Sequence, residues 1–319
     1  MLSQTQIDSF NRDGFLVVPN VLSPSHLAQI RAEYSGLLDR LYADWYQAGR
    51  VSVSPVGLTF SEKLSISYQA GCDWFQPFDI SLPGDTISAD TPMHFGPAVF
   101  DMVVNENILD AVQSLLGEEI TSNPIQHIRI KPPAPQLAGN EIRAHITATD
   151  WHQDRGVGLE AADKTEMITC WLAISDATVE NGCLQAMPRA HDKMLPHCPK
   201  VQTAIADGFV DEAAAVPLPV GAGGMVMFHP LTPHSSLINR SDDFRWSFDL
   251  RYNVTGQDTG REHFPSFVAR SKINPEQELR DWRGWKSLWE TARAELAAAP
   301  HIPIHRWKSD APFCAKEIS

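Results

Sequence analysis

Cysteine is scarce and unpatterned in this chain of 319 residues. Cys72, Cys170, Cys183, Cys198 and Cys314 are scattered, odd in number and form no C-x-x-C pair. That argues against a zinc ribbon or a disulfide framework, so all five read as thiols in a reducing, cytoplasmic compartment. Positive charge is also short: Lys and Arg number 26 against 39 Asp and Glu, a formal net charge of −13. A phosphate backbone needs a basic footprint, so nucleic acid is not expected as a partner. No apolar run reaches bilayer length, so no membrane partner is expected either. The opening "MLSQTQIDSFNRDGF" has neither a basic nor an apolar leader region, and the closing "KEIS" is not a peroxisomal address. There is no internal repeat and no low-complexity segment.

What is present is a 43% apolar chain, ample for a substantial core. The spacing predicts a short helix over 5–12 and an extended segment at "GFLVVPNVL". A long amphipathic helix starts at Ser23 (N-cap) and Pro24. Its apolar residues Leu27, Ile30, Tyr34, Leu37, Leu38, Leu41 and Trp45 recur at helical spacing. Another helix fits 107–116, with Gly117 as its stop. From about residue 124 the texture changes to eight short β-rich runs separated by turns, which suggests a sandwich or barrel. After Pro265 the pattern returns to helix. We read one domain over 1–319: N-terminal helices and substrate-side loops to residue 120, a β core over 121–255, and a helical extension over 256–319.

The chemistry gathers in "TDWHQDRGVG". His152 and Asp154 are two apart, and in an extended strand they share a face with Asp150, opposite Trp151 and Gln153. Alone, this pair also describes a solvated strand. A redox-active iron with open positions, however, is often held by two His and one carboxylate. The stretch "GAGGMVMFHPLTPHSSLINRSDDFRWSFDLRYN" supplies two further histidines, His229 and His234. It also supplies Arg245, eleven positions after His234, followed by Ser247 as R-x-S. A cosubstrate with a terminal carboxylate calls for a planar, permanently charged partner such as Arg. An Arg buried in a β core has no other inexpensive way to be satisfied.

His152-x-Asp154, His234 and Arg245-x-Ser247 together resemble the iron(II)/2-oxoglutarate dioxygenases, and among them the phytanoyl-CoA dioxygenase family. "WHQD", "CWLAISDATVENGCLQAMPRAH" and "GGMVMFHPLTPHSS" are similar to that family's segments. The likeness is clear over about residues 120–255. Where the family has a P-G-S-H-like turn, this chain reads Pro188-Arg189-Ala190-His191. The resemblance implies a mainly β fold with flanking helices and a double-stranded β-helix (jelly-roll, cupin-like) core. It implies iron(II) on His152, Asp154 and His234, with 2-oxoglutarate and O2 as cosubstrates. The His234-to-Arg245 spacing selects His234 over His229 as a ligand. The far carboxylate of 2-oxoglutarate would meet Arg245, helped by Ser247 or Ser236. The cosubstrate is decarboxylated to succinate while a substrate C–H is oxidised, by default hydroxylated. Related halogenases have a small residue where Asp154 stands, so halogenation is not implied.

Other candidates carry two readings each. In "QHIRIKP", His127, Arg129 and Lys131 share a face that is either solvated or lines the jelly-roll mouth. In the second case Lys131 or Arg129 contacts 2-oxoglutarate, with His127 toward the substrate. Trp171 is either core or beside 2-oxoglutarate. His145, His191 and His197 read as structural, surface or turn residues. The segment 47–100 is rich in Gly, Pro and aromatics; Trp74, Phe75 and His94 either build a pocket lid or pack as ordinary structure. No strongly basic pocket is evident for a CoA moiety. A small or medium-sized metabolite, in secondary metabolism, is the expected substrate. Two other classes fit the same residues: a cupin-type metal isomerase or hydrolase, and a non-catalytic jelly-roll binding module.

Overall fold

The computed structural model describes residues 1–314 except Asp85, Asn140, Ile142, Ala144, His145 and Val201. The reading of His145 therefore lies outside the described residues. The chain opens with α1 (Gln4–Asp13), β1 (Phe15–Val18) and α2 (Pro24–Gln47). Ser23 caps α2 by accepting from the His26 amide, and Leu27, Ile30, Tyr34, Leu38, Tyr42 and Trp45 form its buried stripe. Four helices follow: α3 (Phe60–Gln69), α4 (Phe75–Phe78), α5 (Pro97–Val103) and α6 (Glu106–Leu116). The first two lie within, and the third begins in, the Gly-, Pro- and aromatic-rich segment 47–100. α6 ends at Gly117, whose φ of 87° suits glycine.

The β region holds β2 (Glu119–Lys131), the one-turn α7 (Asp154–Val157), β3 (Met167–Ala173), β4 (Leu184–Ala186), β5 (His197–Pro199) and β6 (Thr203–Ile205). It continues with β7 (Val216–Leu218), β8 (Met225–Phe228), β9 (His234–Ser236) and β10 (Arg245–Val254). β11 (Phe267–Ser271) and α8 (Trp282–Ala298) complete it. All pairings are antiparallel. The main sheet runs β1-β8-β3-β10-β2-β11, and a smaller one runs β7-β4-β9.

Three expectations are corrected here. Helices contribute more residues than strands, so the fold is mixed rather than mainly β. The region after Pro265 is not all helix: β11 adds an edge strand, because Phe267–Ser271 pairs with the start of β2. Cys198 and Cys314 form a disulfide, while Cys72, Cys170 and Cys183 are buried thiols. The bridge joins positions 116 residues apart, which local spacing cannot reveal. The cysteine count therefore no longer argues for a reducing compartment. Among the described residues no helix is long and apolar enough to cross a membrane.

The main sheet has two unlike faces, and alternation along β10 shows why. Trp246, Phe248, Leu250 and Tyr252 point into a large apolar core shared with α2, α5, α6 and α8. α6 packs against β2, β3 and β10. The intervening Arg245, Ser247, Asp249 and Arg251 share the other face. On that side a smaller apolar cluster, including Trp171, Leu184, Val226 and Phe228, joins the main sheet to the small one. The β10–β2 register places Arg245 opposite Lys131, Ser247 opposite Arg129 and Asp249 opposite His127. It then shifts, so Arg251 faces Asn123. Pro124, which lacks an N–H, sits in that irregular stretch, where a missing ladder donor is tolerated.

Candidate metal centre and cosubstrate pocket

The segment before Asp154 is not the regular strand its alternation suggests. It makes one bridge, His152 to His234, through two main-chain hydrogen bonds of 3.0 Å each. Asp154 then opens α7. This joins the ligand loop to β9 and sets the two imidazoles 4.2 Å apart by ring centroid. His152 and His234 both direct Nδ1 at a main-chain oxygen two residues back, Asp150 at 2.8 Å and Thr232 at 2.9 Å. A carbonyl only accepts, so Nδ1 carries the proton and Nε2 keeps its lone pair. Asp150 thus acts through its carbonyl, while its side chain is exposed.

The two Nε2 atoms lie 3.8 and 3.9 Å from Asp154 oxygens, and one donor atom from each of the three residues falls within 4.8 Å of the others. All three side chains are buried. Burial and the neighbouring His234 push the His152 imidazole down to about 3, so it is neutral near pH 7. Burial works against ionising Asp154, but Arg251, His234 and His152 together hold its carboxyl well below the usual range. Arg251 donates to Asp154 Oδ1, whereas Oδ2 is buried without a hydrogen-bond partner. Two imidazoles that present Nε2 and an ionised carboxylate with an orphaned oxygen fit a divalent metal with open positions.

The loop is held from behind. Gln153 donates to the carbonyls of Lys193 (2.8 Å) and Leu231 (2.5 Å) and accepts from the Leu195 amide. His197, expected at the surface, is fully buried and accepts from the Gln153 amide at 3.0 Å. Its burial pushes the imidazole down to about 4. His229 stands apart from the metal cluster, with its ring 5.0 Å from that of His191. Arg189, where the family's turn has glycine, takes φ 61° and donates its amide to Asp13 O.

Deeper in, Arg245 is fully buried. Its Nη1 reaches Ser247 Oγ at 3.4 Å, but Nε and Nη2 have no partner. Burial pushes the guanidinium down to about 9. Trp171 covers it, with the guanidinium carbon 5.0 Å from the ring centroid. Arg245 and Trp171 line one narrow pocket with His152, Asp154 and His234. An unsatisfied buried cation is costly, and this one lies in the same pocket as the metal cluster. Lys131, also buried, donates to Ser236 and, at 3.3 Å, to Thr149 Oγ1. Burial, then Arg245 and Arg129, pushes its ammonium well below the usual lysine range. Arg129 lines the same pocket but is ion-paired with Asp249. The His127–Arg129–Lys131 face is therefore turned inward.

A wider cleft of about 330 Å³ adjoins this pocket and shares His152, Thr149, Arg129 and Arg251 with it. His127 lines the cleft and bonds Asp79 through Nδ1 at 2.8 Å. Trp74 and Phe75 do not reach the cleft; they pack with Phe78 in the apolar core. His94 is buried against Glu33 at 2.8 Å. Arg129, Arg251 and Arg261 all line the cleft, the first two paired with Asp249 and Asp154. Sequence reading missed Arg251 and Arg261. For Arg251 a signal existed: it continues the 245–247–249 face. Arg261 lies beyond β10 and carried none.

Comparison with known proteins agrees with this geometry. The profile of the family described as "Phytanoyl-CoA dioxygenase (PhyH)" matches residues 10–247. A methylphosphonate hydroxylase of Gimesia maris is 25% identical over 272 residues, covering 85% of this chain and 88% of that protein. The solved structure of the non-heme monooxygenase ThoJ, without ligand, superposes with a TM-score of 0.59 at 21% identity, covering 91% and 96%. The epimerase SnoN from nogalamycin biosynthesis, solved with Fe3+ and alpha ketoglutarate, gives a TM-score of 0.51 at 18% identity, covering 81% and 86%. The chain belongs to the phytanoyl-CoA dioxygenase family and is a non-haem oxygenase that uses iron(II) and 2-oxoglutarate.

Proposed function

We propose that this protein hydroxylates an aliphatic C–H of a small or medium-sized metabolite while 2-oxoglutarate is converted to succinate. In this reading residues 1–319 act as one domain, and its two facing sheets form a double-stranded β-helix core. Iron(II) would be held by His152, Asp154 and His234. Bound there with 2-oxoglutarate, the metal supplies dioxygen activation and C–H oxidation. The chain's residues supply position and charge. The carbonyls of Asp150 and Thr232 hold the two imidazoles in the ligating tautomer. Arg251 fixes Asp154 by one oxygen and leaves the other for the metal. Arg245 takes the far carboxylate of 2-oxoglutarate on its two unpartnered nitrogens, with Ser247 beside it and Trp171 as a lid. Lys131, paired across the sheet with Arg245 and held by Ser236 and Thr149, stands beside this receptor as a further hydrogen-bond donor.

The observation that carries this reading is the buried, half-satisfied Arg245 in the same pocket as the His–Asp–His cluster. In a metal isomerase or hydrolase without 2-oxoglutarate, Arg245 and Ser247 would bind a substrate carboxylate instead, a difference that 2-oxoglutarate consumption reads out; a passive module would not require the metal donors. The hydroxylase activity of the Gimesia maris relative supports hydroxylation as the outcome. The test is anaerobic loading with iron(II) and 2-oxoglutarate, then admission of air. Succinate and CO2 should form slowly even without the true substrate. If 2-oxoglutarate is not consumed, the proposal fails.

A further inference from the structure

Resting on the oxygenase reading above, we propose that the substrate is an organic acid whose carboxylate, phosphonate or phosphate group is anchored by Arg261 in the outer cleft. The chain as a whole is acidic, yet no described residue lining this cleft is Asp or Glu. Its cations differ in how they are neutralised. Arg129 is paired with Asp249, and Arg251 with Asp154. Arg261 has no carboxylate partner among the described residues. It is only 4% exposed, and its guanidinium meets main-chain carbonyls alone: Gly260 at 3.3 Å, Ile304 at 2.8 Å and Val157 at 3.1 Å.

Three of its five N–H donors are engaged, which leaves donors and a full positive charge for an oxyanion. Arg251, which lines the same cleft, keeps a buried Nε without a partner. Once Asp154 is shared with a divalent metal, Arg251 is less neutralised, and the cleft becomes more positive still. Bound as proposed above, 2-oxoglutarate would place its charges on the metal and Arg245 and leave Arg261 free for a second anion. The remaining wall is apolar at Leu82, Ile125 and Phe264. That wall suits the hydrocarbon part of the acid, with His152 lining the same cleft. This is not visible in the sequence, because the lining comes from at least six separate stretches of chain and net charge averages over all of them.

The test is calorimetric titration of butanoate, butylphosphonate and uncharged butanamide into protein loaded anaerobically with iron(II) and saturating 2-oxoglutarate. At least one anion should bind about ten- to a hundred-fold more tightly than butanamide. Preference for butanoate or for butylphosphonate identifies the head group. Arg261→Gln should remove the preference for the anion and Arg261→Lys should restore part of it. If neither anion outcompetes butanamide, or if Arg261→Gln weakens anion and amide equally, the proposal is overturned. The iron–2-oxoglutarate absorption band, recorded on the same sample, reports separately on the oxygenase reading.

Discussion

The two faces of β10 are built from the same ten residues and do opposite things. Trp246, Phe248, Leu250 and Tyr252 sit in the apolar core, where volume-conserving exchanges are tolerated best. Arg245, Ser247, Asp249 and Arg251 sit as deeply, 0–5% exposed, on the polar side. Burying charge there opposes folding unless it is paired, and two of the four side chains leave nitrogen atoms unpaired. The apolar face therefore stabilises the sheet, and the polar face uses that stability to hold charges ready for ligands. A site of this kind is legible as a local conflict with good packing.

Breaking one side without the other separates these roles. The largest effect is expected from Asp154→Ala, which removes the only carboxylate of the metal cluster. Iron-dependent 2-oxoglutarate turnover should fall to background, while thermal unfolding remains cooperative. Next comes Phe248→Ala on the apolar face. Truncating a buried phenylalanine should cost about 3–5 kcal/mol, read from denaturant unfolding. Iron and 2-oxoglutarate affinity should persist wherever the variant is folded. Arg245→Ala should be milder and opposite in kind. Loss of charge-assisted bonds of about 1.5–3 kcal/mol predicts a roughly ten- to hundred-fold weaker 2-oxoglutarate affinity. Stability should hold or rise, because an unpaired buried cation is gone.

The remaining comparison is in pH dependence. The imidazoles of His152, His197 and His229 are held down to about 3, 4 and 4, chiefly by burial. The unfolded chain takes up these protons below about pH 6.5 and the folded chain does not. Stability of the metal-free protein should thus be full above pH 6.5 and be lost as pH falls toward 3–4. Urea midpoints across that range check the slope, and a flat profile would show that these histidines are not buried neutral.

The ligand set and Arg245 were legible because each is a fixed residue type at a short or regular spacing. The shared face of Arg245 and Ser247 followed from strand alternation. Other features required distances that sequence does not encode. Asp154 looked like a strand residue but opens a helix, because Gln153 is gripped by the segments at 193–195 and 231. Trp74 and Phe75 read either as a pocket lid or as ordinary packing, and only the fold decides for packing, by burying them in the apolar core. The Cys198–Cys314 bridge and the cleft residue Ile304 depend on how the last stretch of chain returns over the β region.

The central claim is that the His–Asp–His cluster and Arg245 form one receptor for iron(II) and 2-oxoglutarate. Anaerobic titration of 2-oxoglutarate into the iron(II)-loaded protein, followed by visible absorption, tests it most directly. The account predicts a saturable charge-transfer band at one equivalent, absent in Asp154→Ala and requiring more 2-oxoglutarate in Arg245→Ala. A wild-type protein that shows no band, or a band indifferent to both substitutions, would contradict it.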